Sequence, residues 1–166
     1  MIPVRQFRDQ IIRPVLHHLA RTDRDLGSRA IENLLLGTAV IESRLEALEQ
    51  RRGPALSMFQ IEPSTYDDIV NRYLWHQRPD LWAGVDAFRF GARSGPDQLA
   101  GNQHYACAVA RIKYWMSPEP LPDHDDVAGL GKYWADIYNA GGRGTGPQFA
   151  LAYQRYVVPT LTSRTS

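Results

Sequence analysis

Among the 18 acidic residues, Glu42 is set apart by its neighbours. It follows Ile31, Leu35 and Thr38 by 11, 7 and 4 positions. At 3.6 residues per turn these four share one stripe of a helix, and the stripe is otherwise apolar or small. A carboxylate on such a face gives up part of its water, which disfavours its charged form and raises its pKa. A carboxyl that stays protonated near neutral pH suits a general acid working on a poor leaving group. The alternative is an acid near a helix end that reaches solvent or pairs with Arg44 or another arginine.

Two further segments carry polar groups of the right kind. The run Gly53-Pro54-Ala55-Leu56-Ser57-Met58-Phe59-Gln60-Ile61-Glu62-Pro63 opens on a Gly-Pro turn signal. If it is extended, Ser57, Phe59 and Ile61 point one way and Met58, Gln60 and Glu62 the other. Gln60 then faces a cleft with an amide donor and acceptor for sugar hydroxyls or N-acetyl groups, or it is an exposed loop amide. Near the C-terminus, Ile137-Tyr138-Asn139-Ala140-Gly141-Gly142 closes a helix, with Gly141 suited to the position just past its end. The Tyr138 hydroxyl is placed to orient a carboxylate and Asn139 to hold a ligand or cap backbone. A core tyrosine and a structural cap are the alternatives.

Helices must position all three segments. Val4, Phe7, Ile11, Val15 and Leu19 step by three or four and predict a helix over 4–20, kinked near Pro14. A second is expected over 28–48. A third begins after Ser64, with Asp67 three positions on as an acidic variant of the capping box, and runs to 74. A fourth spans 96–116 from Pro96-Asp97, a fifth 127–138 and a sixth 146–158, with Pro147 near its start. Only 56–61 has the look of a short extended piece. No repeat and no linker divides the chain, so the expectation is a mainly α single domain over 1–166, of about six helices with little or no β-sheet. Residues 160–166 are expected to fray.

Glu42-Ser43, Leu56-Ser57-Met58-Phe59-Gln60-Ile61 and Tyr138-Asn139-Ala140-Gly141 occur in one order. This trio resembles the soluble lytic transglycosylase family of the lysozyme-like superfamily. Its members carry a Glu-Ser pair ending a helix, a Gly-Leu-Met-Gln-Ile type loop and an Ala-Tyr-Asn-Ala-Gly segment. Small phage-encoded lytic proteins are the most similar, above all over Gly53 to Asp68, and the resemblance covers 31–70 and 134–142. The separation of Gln60 from Glu42, 60 − 42 = 18 positions, also suits the family. The resemblance implies a lysozyme-like fold and cleavage of the MurNAc-GlcNAc β-1,4 bond of peptidoglycan. It implies that Glu42 protonates the glycosidic oxygen and then acts as base. Ser43 would contact substrate or support Glu42, Gln60 would bind sugar, Tyr138 would orient Glu42, and Asn139 would shape the site.

The chain departs from the family in places. Ser57 stands where the loop usually has glycine, and Ile137 where alanine is common. Neither Phe88-Arg89-Phe90-Gly91 nor Asn102-Gln103-His104-Tyr105 matches the family's middle motif. A glycosidase using two carboxylates needs the second roughly 5–9.5 Å from the first. Glu49, Glu62, Asp67, Asp68 and Asp86 are available, and Glu62 is the foremost candidate because it follows Gln60 on the same side of an extended segment. Its stronger reading is as a charge that favours the helix N-terminus beginning at Ser64. In transglycosylases, as the resemblance implies, the substrate N-acetyl group replaces that carboxylate and the product ends in a 1,6-anhydro sugar. A muramidase using the same acid, and a noncatalytic phage structural or wall-binding protein, remain the alternatives.

The rest of the composition narrows the partners. Hydrophobic residues make 43% of the chain and charged residues 22%, a folded rather than disordered balance. A formal charge of +1 is too small for field-driven binding of nucleic acid or anionic membranes and compatible with a glycan strand. The single cysteine, Cys107, excludes an internal disulfide and reads as a small core residue. His17-His18 and His124-Asp125-Asp126 lack metal-ligand spacing, and no cofactor is expected. Gly141-Gly142-Arg143-Gly144-Thr145-Gly146 lacks the Gly-Lys-Ser/Thr ending of a phosphate loop and suggests a mobile loop beside the cleft. Of Trp75, Trp82, Trp115 and Trp134, one or two at most are expected to line the cleft.

Arg5, Arg8, Arg13, Arg21 and Arg24 interrupt the first 25 residues, so no cleavable secretion signal is expected. The longest near-continuous apolar stretch, Leu34 to Ile41, is far short of the ~20 residues of a membrane span. A wall substrate then implies a phage route: the host cytoplasm until holin-dependent release, or carriage in the virion with other phage proteins. A monomer is expected if the protein is free.

Overall fold

The computed structural model describes residues 1–91 and 95–162, of which the helices make up the greater part. In chain order α1 covers 4–19, α2 Arg29–Ser43, α3 63–77, α4 Pro79–Asp86, α5 Asp97–Gly101, α6 Gln103–Trp115, α7 127–138, α8 Gly146–Tyr156 and α9 Val158–Thr162. A 3-10 turn, Arg24–Leu26, joins α1 to α2. Among the described residues there is no strand, only isolated antiparallel bridges pairing Leu56 with Glu49 and with Ile61. The mainly α architecture follows, and residues 163–166 of the expected frayed end lie outside the described residues.

Two helices explain the core. In α2 nearly every side chain from Ile31 to Val40 is buried, and in α6 so are Tyr105 to Ile112 and Tyr114. Helices apolar all round belong inside, and the others wrap them. α6 touches α1, α2, α3, α4 and α7, while α8 lies along both α2 and α7. Cys107 sits at full burial in the middle of α6, as a core residue. Close approach is bought with glycine: a Cβ on Gly37 of α2 would come within 2.8 Å of Phe149 Cε2 on α8. One on Gly131 of α7 would lie 2.5 Å from the Gly146 carbonyl oxygen.

Several boundaries differ from the sequence expectation, each for a local reason. α1 absorbs Pro14 upstream as a π-helical stretch, Arg8–Ile12, where the missing proline N–H and the ring widen the turn. α2 ends at Ser43 rather than 48, because Arg44 (φ 53°) and Leu45 (φ 54°) both turn left-handed. α3 starts at Pro63, so Ser64 lies inside it and caps nothing. Glu62 is the residue before it and makes no side-chain cap bond. α4, opened by Pro79, was not anticipated. The expected helix over 96–116 is broken at Asn102, whose side chain accepts the Tyr105 N–H at 3.0 Å and donates to the Phe88 carbonyl at 2.7 Å. The sixth ends at Tyr156, and α9 follows after Val157.

Candidate functional site

Glu42 occupies the next-to-last position of α2, where buried helix gives way to open groove. Beneath it, Thr38 donates to the Leu34 carbonyl and meets the Tyr114 hydroxyl at 2.7 Å. Tyr114 packs against Tyr138 with ring centroids 5.1 Å apart, so α2, α6 and α7 meet at one aromatic layer. Among the described residues no ion pair includes Glu42, and Arg44 is exposed. Burial pushes the Glu42 carboxyl up to about 7, against a hydrogen bond from Trp134 and the charge of Lys113, which both favour the ionised form. The partial desolvation expected from the stripe is thus present.

Two grooves meet at this carboxyl. One, of about 710 Å³, is bordered by Glu42, Gln60, Glu62, Lys113, Tyr138 and Asn139. The other, of about 460 Å³, runs between Glu42, Trp134, Gln148 and Arg155. Ile41, Glu42, Arg44 and Asn139 border both. A protonatable acid therefore stands on the border that the two grooves share.

The loop carrying Gln60 is folded back, not extended. Leu56 and Ile61 exchange backbone hydrogen bonds at 2.9 and 2.8 Å, and Gln60 N–H donates to the Ser57 carbonyl at 3.1 Å. Ser57 (φ 73°) and Gln60 (φ 47°) supply the left-handed turns. The expected alternation of faces fails accordingly: Ser57, Met58 and Phe59 are all buried. Ser57 occupies a conformation that glycine adopts without cost, and its Oγ accepts the Phe59 N–H at 3.1 Å in partial compensation. Gln60 still borders the larger groove, with its Nε2 donating to the Ser57 carbonyl at 2.8 Å. Gln103, in a segment that matched no motif, accepts the Met58 N–H at 3.0 Å and braces the loop from α6.

The remaining expected residues are brought to the site, but some act differently. The Tyr138 hydroxyl donates to the Phe59 carbonyl at 2.8 Å, so it anchors the loop rather than orienting Glu42. Glu42 is held by Trp134, whose indole N–H donates to Oε1 at 3.1 Å. Ser43 Oγ donates to the Ala39 carbonyl at 2.9 Å and accepts the Leu45 N–H at 3.1 Å, which shapes the end of α2. Asn139 Nδ2 donates to the Gly144 carbonyl at 3.2 Å and ties down the glycine-rich loop at the groove edge. Glu62 borders the larger groove and is exposed, as is Glu49.

Trp134, expected at most to line the cleft, borders the smaller groove and holds Glu42, and Lys113 was not anticipated. Trp134 lies one helical turn before Tyr138, and that i, i+4 spacing places it on the same face. Lys113 interrupts the apolar run of α6. Its Nζ donates to the Tyr138 carbonyl at 2.6 Å and sits 4.0 Å over that ring. Burial lowers its pKa, with Glu42 and Glu62 opposing. Of the groups set aside, Asp126 caps α7 by accepting the Gly129 N–H at 2.8 Å, and His18 Nε2 meets the Gly84 carbonyl at 3.0 Å. Among the described residues no helix is long and apolar enough to cross a membrane. Comparison with known family models, curated proteins and solved structures finds no match.

Proposed function

We propose that this protein is a peptidoglycan lytic transglycosylase that cuts the MurNAc-GlcNAc β-1,4 bond with Glu42 as its single general acid and base. The observation that carries this is a largely buried carboxyl, pushed by desolvation up to about 7, on the border that two grooves share. The ordered likeness of Glu42-Ser43, Leu56 to Ile61 and Tyr138 to Gly141 to the transglycosylase family supports the choice of substrate.

In the proposed reaction the protonated Glu42 carboxyl gives its proton to the glycosidic oxygen, and the C1–O4 bond breaks. The N-acetyl oxygen of the muramic residue closes on C1. Glu42, now a carboxylate, takes the proton of the C6 hydroxyl as that oxygen attacks C1 and the acetamido group is released. Glu42 ends protonated, and the product carries a 1,6-anhydro end. Gln60 Nε2 gives one of its two N–H groups to the Ser57 carbonyl, which leaves the other N–H and Oε1 for sugar hydroxyls or the N-acetyl group. The resemblance to small phage-encoded proteins extends the proposal to phage-driven lysis or wall opening during infection. Proteomics of washed virions separates carriage in the particle from holin-dependent release.

Purified protein tests the proposal by clearing a suspension of peptidoglycan sacculi. Folded Glu42→Gln protein that clears at the wild-type rate would sink the assignment.

A further inference from the structure

Trp134 is 3% exposed and its indole N–H donates to Glu42 Oε1 at 3.1 Å. The ring is fixed on several sides. It packs on Phe149 at 5.8 Å, and a Cβ on Gly144 would collide with its far edge. Its own backbone carbonyl accepts the Asn139 N–H at 2.9 Å. Trp134 borders only the smaller groove and Tyr138, one turn on, only the larger, so α7 flanks Glu42 on both sides.

We infer that Trp134 is a positioning residue for Glu42, whose indole N–H occupies Oε1 so that the transferable proton is carried on Oε2 at the groove junction. The chemistry of indole fits the task. It donates one hydrogen bond and accepts none, so it cannot take the proton from the acid. An arginine in its place would hold the carboxyl ionised near neutral pH, whereas a neutral donor orients it and leaves it protonatable. The orienting role sought in the Tyr138 hydroxyl thus belongs to the residue four positions earlier. The reaction step rests on the transglycosylase proposal; the hydrogen bond and its effect on Glu42 do not.

The test uses the full chain as Trp134→Phe and with benzothienylalanine at position 134, which keeps the bicyclic shape and replaces N–H by sulfur. Carboxyl-¹³C glutamate labelling reads the Glu42 titration by NMR, assigned by its absence in Glu42→Gln. Loss of the donor should raise the midpoint by about one pH unit in both variants, because a hydrogen bond to the charged form is removed. The alkaline limb of the lysis profile should move with it, and the rate should fall roughly tenfold. A midpoint unchanged in the benzothienyl protein overturns the inference, whatever Trp134→Phe does to folding. If the wild type clears no peptidoglycan but the midpoint moves, the transglycosylase proposal fails and the positioning role stands.

Discussion

Desolvation and hydrogen bonding pull Glu42 in opposite directions, and desolvation wins, pushing its carboxyl up to about 7. As the proposed acid, Glu42 must start protonated, so the lysis rate should fall as pH rises through about 7. A rate that stays flat to pH 9 would assign proton donation elsewhere. Glu42→Gln keeps the shape but cannot cycle a proton, and clearing should drop by roughly a hundredfold to ten-thousandfold with the circular dichroism spectrum unchanged. Gln60→Ala should lose less, since substrate-holding groups contribute less than the proton-transfer group. The residues of this site were legible to different degrees. Glu42 was marked by its apolar stripe, and Gln60 and Asn139 by segments that border the groove. Their partners were not marked, because a hydrogen bond from residue 134 to residue 42 depends on how α8 brings α7 and α2 together, which no local pattern encodes.

At the scale of elements, the site depends on two close fits. Tyr138→Phe leaves the buried Phe59 carbonyl without its donor and should cost about 1–3 kcal/mol in chemical denaturation. The loop from Ser57 to Gln60 loosens with it, so activity should fall mainly through weaker substrate binding and by less than in Glu42→Gln. A variant with unchanged stability would contradict the anchoring role. Gly37→Ala gains helix propensity of about 1 kcal/mol but drives a methyl into the Phe149 ring. The net change should be destabilising by about 1–2 kcal/mol, and a stabilised variant would show that α8 can move away. The periodic stripes found α1 and α2 readily. The chain reversals were harder: Arg44, Leu45, Ser57 and Gln60 take left-handed conformations without being glycine, so the end of α2 and the folded loop gave no composition signal. The break at Asn102 rests on its side chain capping α6, a preference shared by many loop asparagines.

For the whole molecule, the raised pKa of Glu42 is a stability statement. Its folded value of about 7 lies above the ordinary 4.5. A group shifted upward contributes its stability below the unfolded value and loses it as pH rises through the folded one. The fold should therefore weaken between about pH 4.5 and 7 by at most about 3 kcal/mol from this group alone. Glu42→Gln should match the wild type near pH 4 and exceed it in thermal stability at pH 8, with part of the gain offset because Lys113 loses a nearby negative charge. Equal melting temperatures for the two proteins at pH 8 would mean that the carboxyl is better solvated than its burial on α2 implies.

The central claim is that Glu42 cleaves glycan strands without a second catalytic carboxylate. Mass spectrometry of soluble fragments from purified peptidoglycan, digested in ¹⁸O-labelled water, tests it most directly. The wild type should release muropeptides ending in 1,6-anhydro-N-acetylmuramic acid that carry no solvent oxygen, and Glu42→Gln should release none above background. Reducing ends labelled with ¹⁸O would contradict the claim and turn attention to Glu62, while equal fragment yields from the folded Glu42→Gln protein would remove Glu42 from the chemistry.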